Sequence, residues 1–457
     1  MKHFDWRCLA ISSVLVIALA TQAETRPQYG GTLRVATRAA LNSLDPADSM
    51  PVGFFAQESI TLLIFDTLVK TDDNGRLRPA LATSWRAGAG NQRWRFQLRH
   101  GVRFHDGTPL TAEIAAASLR AANPSWRVVA DGDSVVVERE GSDPELPGEL
   151  ALPRNAITKR NSGERPSGTG PFHVVDWQPG KKMSLAADED YWGGRPFLDS
   201  IEIEMGKSFR DQITALELAR ADLVEVAPEQ VHRVSLEGQR LASSEPMELL
   251  ALVFAHDART PEEKLLRDAL ALSVDRGSMR NVLLQGAGQP AGGVLPNWMS
   301  GYGFVFATEA DLARAHHKRD QVRTVPVWTL GYDADDPLAR LLAERIALNA
   351  RDAGLSVQPT AAATSDSRLM RIPMASPDPW IALGRLPAST GSPARKNAGG
   401  SAEDLYKAEQ SLLATQLLIP LFHLPVTYAA SPALKNWTAR PDGIWNLTDA
   451  WLGSRQP

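Results

Sequence analysis

The chain has 457 residues, 43% of them hydrophobic and 22% charged, too long for one ordinary core and suited to two or three globular domains. Lys plus Arg number 49 against 53 for Asp plus Glu, a slight acidity that gives no electrostatic ground for a nucleic-acid partner. At the start of the chain, Lys2 and Arg7 precede a mostly apolar run from Cys8 to Ala20, and Ala18, Ala20 and Ala23 supply small residues. That is the layout of a secretory signal over 1–23, cleaved after Ala20 or, preferably, Ala23. A bilayer span needs ~20 apolar residues, which this run lacks. The single cysteine, Cys8, opens the apolar run instead of closing it, so it is not placed like a lipid-bearing cysteine. Its removal leaves an exported chain that relies on its core and not on disulfides.

Next, "GGTLRVAT" reads as a buried strand after a Gly-Gly break, and "LNSLDPADSMPVG" as a loop in which Asp-Pro and Met-Pro resist helix. "ESITLLIFDTLVKT" has helical spacing at Ile60, Leu63, Ile64 and Leu68, closed by the turn signal "DDNGR". Trp94, Phe96 and Leu98 alternate with polar residues as a half-buried strand, His105–Asp106–Gly107 turns the chain, and Thr111 caps a helix from Ala112 past Leu119. "SVVVERE" and "SIEIEM" are strands, separated by a segment from Gly141 to Gly170 rich in Gly, Pro, Ser and charge that marks a crossover between domains. "FRDQITALELARADLVEVA" is helix then strand. Beyond a break near "ASSEPME", Leu266, Leu270 and Val274 share a helical face. "VPVWTLGYDADDPLARLLAERIALNARDAGLSVQP" is strand, loop, helix, strand, with Asp336 as cap, Pro337 first in the helix and Gly354 at its stop. Helix and strand recurring at this spacing indicate α/β domains.

The chemistry-bearing motifs read as structure. His105–Asp106 has no third partner for a catalytic site, and Asp-Gly suits a turn. The glycines of "GAGQPAGG" follow a helix and are interrupted by Pro290, unlike a phosphate-cradling loop. His316 and His317 are adjacent, so they do not share a helical face for a metal, and no serine sits in a nucleophile elbow. Neither an enzyme nor a cofactor is indicated. Trp298 and Trp380 lie in glycine- or proline-rich loops, where an aromatic lines a ligand cleft or packs.

In order along the chain, "GGTLRVAT" with "LDPA", "IFDTLVKTDDNGRLRPALATSWRA", "WRFQLRHGVRFHDGTPLTAE", "GTGPFHVVDWQPG", "DYWGGRPFLDSIEIEM", "RDALALSVDRGSMRNVLLQGAGQPAGGVLP", "IPLFHLP" and "GIWNLTDAWL" resemble family 5 of the bacterial extracellular solute-binding proteins, the peptide- and nickel-type receptors of ABC importers. The resemblance implies an α/β fold of two lobes closing on a ligand, with a small domain inserted in the N-terminal lobe. By that layout the first lobe is 24–65, 168–250 and 425–457, the inserted domain 66–167, and the second lobe 251–424. It implies a periplasmic monomer that binds a peptide or small organic solute and delivers it to an inner-membrane ABC permease. The rival reading is a sensor or interaction module that keeps the fold with a degenerate ligand site.

Peptide receptors of this family often carry Trp-x-x-Asp-x-x-Asp-Pro, whose first Asp holds the peptide's α-amino group. The matching stretch here is "IPMASPDP", in which Asp378–Pro379 remain, Ile372 replaces the tryptophan and Ala375 the anchoring aspartate. Pro373 also has no N–H for a peptide laid beside it. Across the cleft, the loop "SMPVG" takes the position that pairs a bound peptide, making Met50 and Val52 contact candidates alongside Ile372, Ala375, Asp378 and Trp380.

Overall fold

The computed structural model describes residues 26–48, 53–160, 165–389 and 400–453, so the signal segment, Met50 and Val52 lie outside the described residues. One sheet of eleven strands runs through the molecule. Its strands along the main path are β1 (Thr32–Ala36), β2 (Phe172–Gln178), β3 (Lys182–Ala187), β4 (Ser200–Glu204), β5 (Leu223–Val226), β6 (Arg240–Phe254), β7 (Val327–Gly331), β8 (Ser356–Thr360), β9 (Ser367–Pro373) and β10 (Leu418–Ala430). They lie in the order β8-β7-β9-β6-β10-β5-β1-β4-β3-β2, and the short Gln289–Pro290 pairs with β10 off that path.

Two lobes share this sheet. Around β1, β4 and β5, apolar residues such as Leu33, Ile60, Phe172, Ile201 and Leu223 form one core. Around β7 and β9, the helices Pro261–Ser273 and Pro337–Asp352 place Leu266, Leu270, Leu342 and Ile346 in a second core. Both helices are capped as their sequences dictate: Thr260 accepts from Glu263 N, and Asp336 from Leu338 N and Ala339 N. Gly354 follows the second at φ +73°, a left-handed stop that an L side chain resists.

The long strands β6 and β10 belong to both lobes. At one end Arg240 and Ala430 are partners and β10 pairs with β5; at the other Leu249 and His423 are partners and β6 pairs with β9. Between these halves the register shifts on either side of Pro246, which lies opposite Pro425. Neither proline has an N–H to give, so the ladder is interrupted where the lobes meet. A side chain takes over, Val426 N donating to Ser244 Oγ at 2.9 Å.

The small domain is a four-stranded antiparallel sheet, in the order Ala82–Ala87, Arg93–Leu98, Ser134–Glu138, Arg127–Asp131. The helix Ala112–Ala122, capped by Thr111, packs on it around Phe96, Phe104, Leu119 and Val135. The turn at His105–Asp106 joins this domain to the "GTGPF" stretch. His105 N donates to Gly168 O at 2.9 Å, and its ring Nε2 lies 2.9 Å from Gly170 O. Asp106 pairs with Lys159 at 2.6 Å and accepts from Thr108 N.

The helix expected to continue through Leu68 is instead Phe54–Ile64, ending at Phe65 in extended conformation. Asp66, the next residue, accepts from Thr169 Oγ1, Tyr191 Oη and Trp192 Nε1 at 3.0, 3.1 and 2.8 Å. That ties "FDT", "GTG" and "DYW" together and pulls the chain out of the helix. Leu68 is buried all the same, in the core of the small domain.

Candidate functional site

A cavity of about 320 Å³ opens where both lobes and the small domain meet. The helix Phe54–Ile64 supplies Phe54, Phe55 and Glu58, β6 supplies Met247, and Met374 to Pro377 follow β9. The small domain adds Ala151 to Pro153, and the C-terminal segment adds Arg440, Asp442 and Trp445. The helix is set tightly in place. Its cap, Gly53, has φ +74°, and a Cβ there would lie 2.6 Å from Ala39 Cα. Further along, Ser59 Oγ donates to Phe55 O and accepts from Trp445 N at 2.8 Å. The helix is buried around most of its circumference, so a charged residue on it is costly.

Five carboxylates line the cavity against two cations, Lys70 and Arg440. Four of the five are engaged. Asp66 holds the three donors named above. Asp72 pairs with Arg78 at 2.8 Å, and Asp73 and Asp442 pair with Arg440 at 3.2 and 2.9 Å. Glu58, only 6% exposed, makes no side-chain hydrogen bond or ion pair among the described residues. Burial pushes its carboxyl up to about 8, partly offset by the positive charge of Arg154. Burial likewise raises Asp66 to about 6 against the pull of its donors.

Beside the cavity the small domain touches the second lobe. Arg385 pairs with Glu149 at 3.1 Å, and a Cβ on Gly148 would lie 2.8 Å from Ile381 Cδ1. Glu145 is raised by burial and by the neighbouring Asp378. At the pivot between the lobes a smaller gap of about 70 Å³ is lined by Arg38, Phe209, Glu225, Glu248, Arg371 and Pro425, among others. Arg371 pairs with Glu248 at 3.0 Å and Asp336 at 3.6 Å, while Arg38 reaches Asp333 of the other lobe at 3.9 Å. Glu225 accepts from Arg38 N at 2.7 Å, and burial raises its carboxyl.

Of the residues singled out by sequence, Ala375 lines the cavity. Ile372 is fully buried in β9, opposite Leu249. Asp378 caps the helix Pro379–Ser389, accepting from Trp380 N and Ile381 N at 2.9 and 3.1 Å. Trp380 is half-buried against the core that includes Met247 and Ile372. Trp298 donates through Nε1 to Pro246 O at 3.1 Å, bracing the pivot. The sequence reading passed over Glu58 and Arg371. For Glu58 the signal was available: one acid inside "FFAQESITLLI", an otherwise apolar helix.

Comparison with known proteins bears on this arrangement. Residues 76–382 match the model described as bacterial extracellular solute-binding proteins, family 5 Middle. The nickel-binding protein NikA of Staphylococcus aureus is 27% identical over 278 residues, covering 57% of this chain and 55% of the relative. The oligopeptide-binding protein AppA of Bacillus subtilis is 24% identical over 306 residues, covering 60% and 55%. These matches thus span little more than half of the curated relatives' length. In three dimensions, the binding protein DppA of Helicobacter pylori, solved with the peptide STSA, superposes with a TM-score of 0.80 at 17% identity, covering 95% of this chain and all of that one. At such identity the likeness establishes the fold, two lobes with a small inserted domain.

Proposed function

The chain belongs to family 5 of the bacterial extracellular solute-binding proteins, and from that premise we propose that it is the periplasmic receptor of an ABC importer, closing its lobes on a peptide or peptide-like solute and passing it to an inner-membrane permease. The observation that carries the reading is the cavity walled jointly by Met374 and Ala375 of one lobe, Phe55 and Trp445 of the other, and Pro153 of the small domain. A solute there touches all three bodies only when they are closed, so it favours the closed state by the contacts it gains. At about 320 Å³ the space is at the small end of organic-ligand sites, which run roughly 300–1,000 Å³. That supports a dipeptide-sized solute in preference to a long peptide. Relatives that are named for nickel and for peptides leave both solute classes within the family. Among the described residues no three His, Cys, Asp or Glu side chains gather as ligands for a metal ion.

The test is native mass spectrometry of the protein purified gently from periplasm, followed by release and identification of what it carries. A discrete peptide or small-solute adduct is the expected result. Protein that stays bare after exposure to peptide and solute mixtures would move the assignment to a sensor or interaction module on the same fold.

A further inference from the structure

We infer that Glu58 is the counter-ion for an ammonium group of the bound solute, supplying from the helix Phe54–Ile64 the negative charge that Ala375, in the same cavity lining, leaves out. The inference rests on the receptor reading above and specifies what that receptor holds. Glu58 and Ala375 face one cavity, together with Phe54, Phe55, Met247 and Met374. The other four carboxylates of the cavity are each engaged by a donor or an ion-pair partner, and Arg440 is committed to Asp73 and Asp442. Lys70, the other cation lining the cavity, is exposed, feels Asp66 through space and makes no ion pair among the described residues. Glu58 alone is more than nine-tenths buried and has no hydrogen-bond partner among the described residues.

Such a carboxylate costs folding free energy unless something later repays it. Arg154 does not fill that role. It influences Glu58 through space but forms no ion pair with it, and it also feels Glu149 and Arg385. Without a solute, Glu58 keeps its proton at neutral pH; a small ammonium ion entering from the cavity would displace that proton to solvent and leave a carboxylate with which it forms a charge-assisted hydrogen bond. The aromatic and thioether walls would pack its carbon skeleton. The solute class is therefore a small primary amine with an apolar body, of dipeptide size or less.

Wild-type protein and Glu58→Gln, both stripped of carried ligand, are exposed to Ala-Ala, Ala-Phe, isoamylamine and phenethylamine, and separately to their N-acetylated counterparts. Adducts are read by native mass spectrometry, and melting temperature is measured without ligand. The expected result is adducts with the amines only, reduced at least tenfold in Glu58→Gln, although that variant melts no lower than wild type. Equal amine adducts in both proteins would overturn the role of Glu58, and equal adducts from the acetylated set would overturn the ammonium; either leaves the receptor reading intact. A Glu58→Gln protein that melts lower would assign the carboxylate to structure. No adduct from either set on wild type would overturn the inference, while the solute recovered from periplasm-purified protein judges the receptor reading separately.

Discussion

The position of Glu58 predicts a particular pH dependence of stability. Its carboxyl is raised from the ordinary 4.5 to about 8, chiefly by burial and against the pull of Arg154. Below about pH 4.5 it is protonated in folded and unfolded chains alike and costs nothing. Between 4.5 and 8 the folded chain keeps a proton that the unfolded chain releases, so stability falls as pH rises, and above 8 the penalty is complete. Each tenfold change in proton affinity is worth about 1.4 kcal/mol, which puts the full penalty on the order of 5 kcal/mol. Glu58→Gln removes it. The variant should melt with wild type near pH 4.5 and well above it at pH 8.5; parallel curves across that range would show that the carboxyl is not paying a burial cost. Asp66 is also raised, but it is present in both proteins and cancels in the comparison.

At the scale of elements, the end of the helix Phe54–Ile64 and the "GTG" loop fix one another. Gly170 N donates to Ile64 O at 3.0 Å, and a Cβ on Gly168 would lie 1.9 Å from that same oxygen. On Gly170 it would lie 2.5 Å from Ile64 C. Backbone cannot yield as a flexible side chain can, so Gly168→Ala and Gly170→Ala should each destabilise by at least about 2 kcal/mol. Gly141, with open space around it, is the control: Gly141→Ala should stay within about 0.5 kcal/mol in the same denaturant titration. This packing explains why some elements were legible in sequence and one was misjudged. Alternation at Trp94–Leu98, the Thr111 cap and the Asp336–Pro337 helix start are local signals, and each stands where the sequence puts it. The helix stop at Ile64 is decided by residues a hundred positions away, Thr169 and Tyr191, acting through Asp66. The site suffered in the same way. Ala375 could be placed by its neighbours in "IPMASPDP", but Glu58, which lines the same cavity, comes from a distant helix and shares no local motif with it.

Across the whole molecule, ion pairs between described residues tie the second lobe to the other two bodies. Arg385–Glu149 links the second lobe to the small domain, and Arg38–Asp333 spans the lobes. Both pairs are partly solvated, so they bias an equilibrium and do not lock it. The double variant Arg38→Ala, Arg385→Ala, free of ligand, should show a larger radius of gyration in small-angle scattering than wild type. Unchanged scattering would mean that the packing at the pivot, and not these ions, sets the closed geometry. The facing prolines at that pivot carry a further consequence for how the motion can be watched. Pro246 and Pro425 possess no amide hydrogen, so a turn of the lobes about this point would be silent at the prolines themselves both to deuterium exchange and to amide-detected NMR. The nearest reporter is Val426, whose amide is bonded to Ser244 Oγ in place of a strand partner. Its exchange rate is where opening should first become visible.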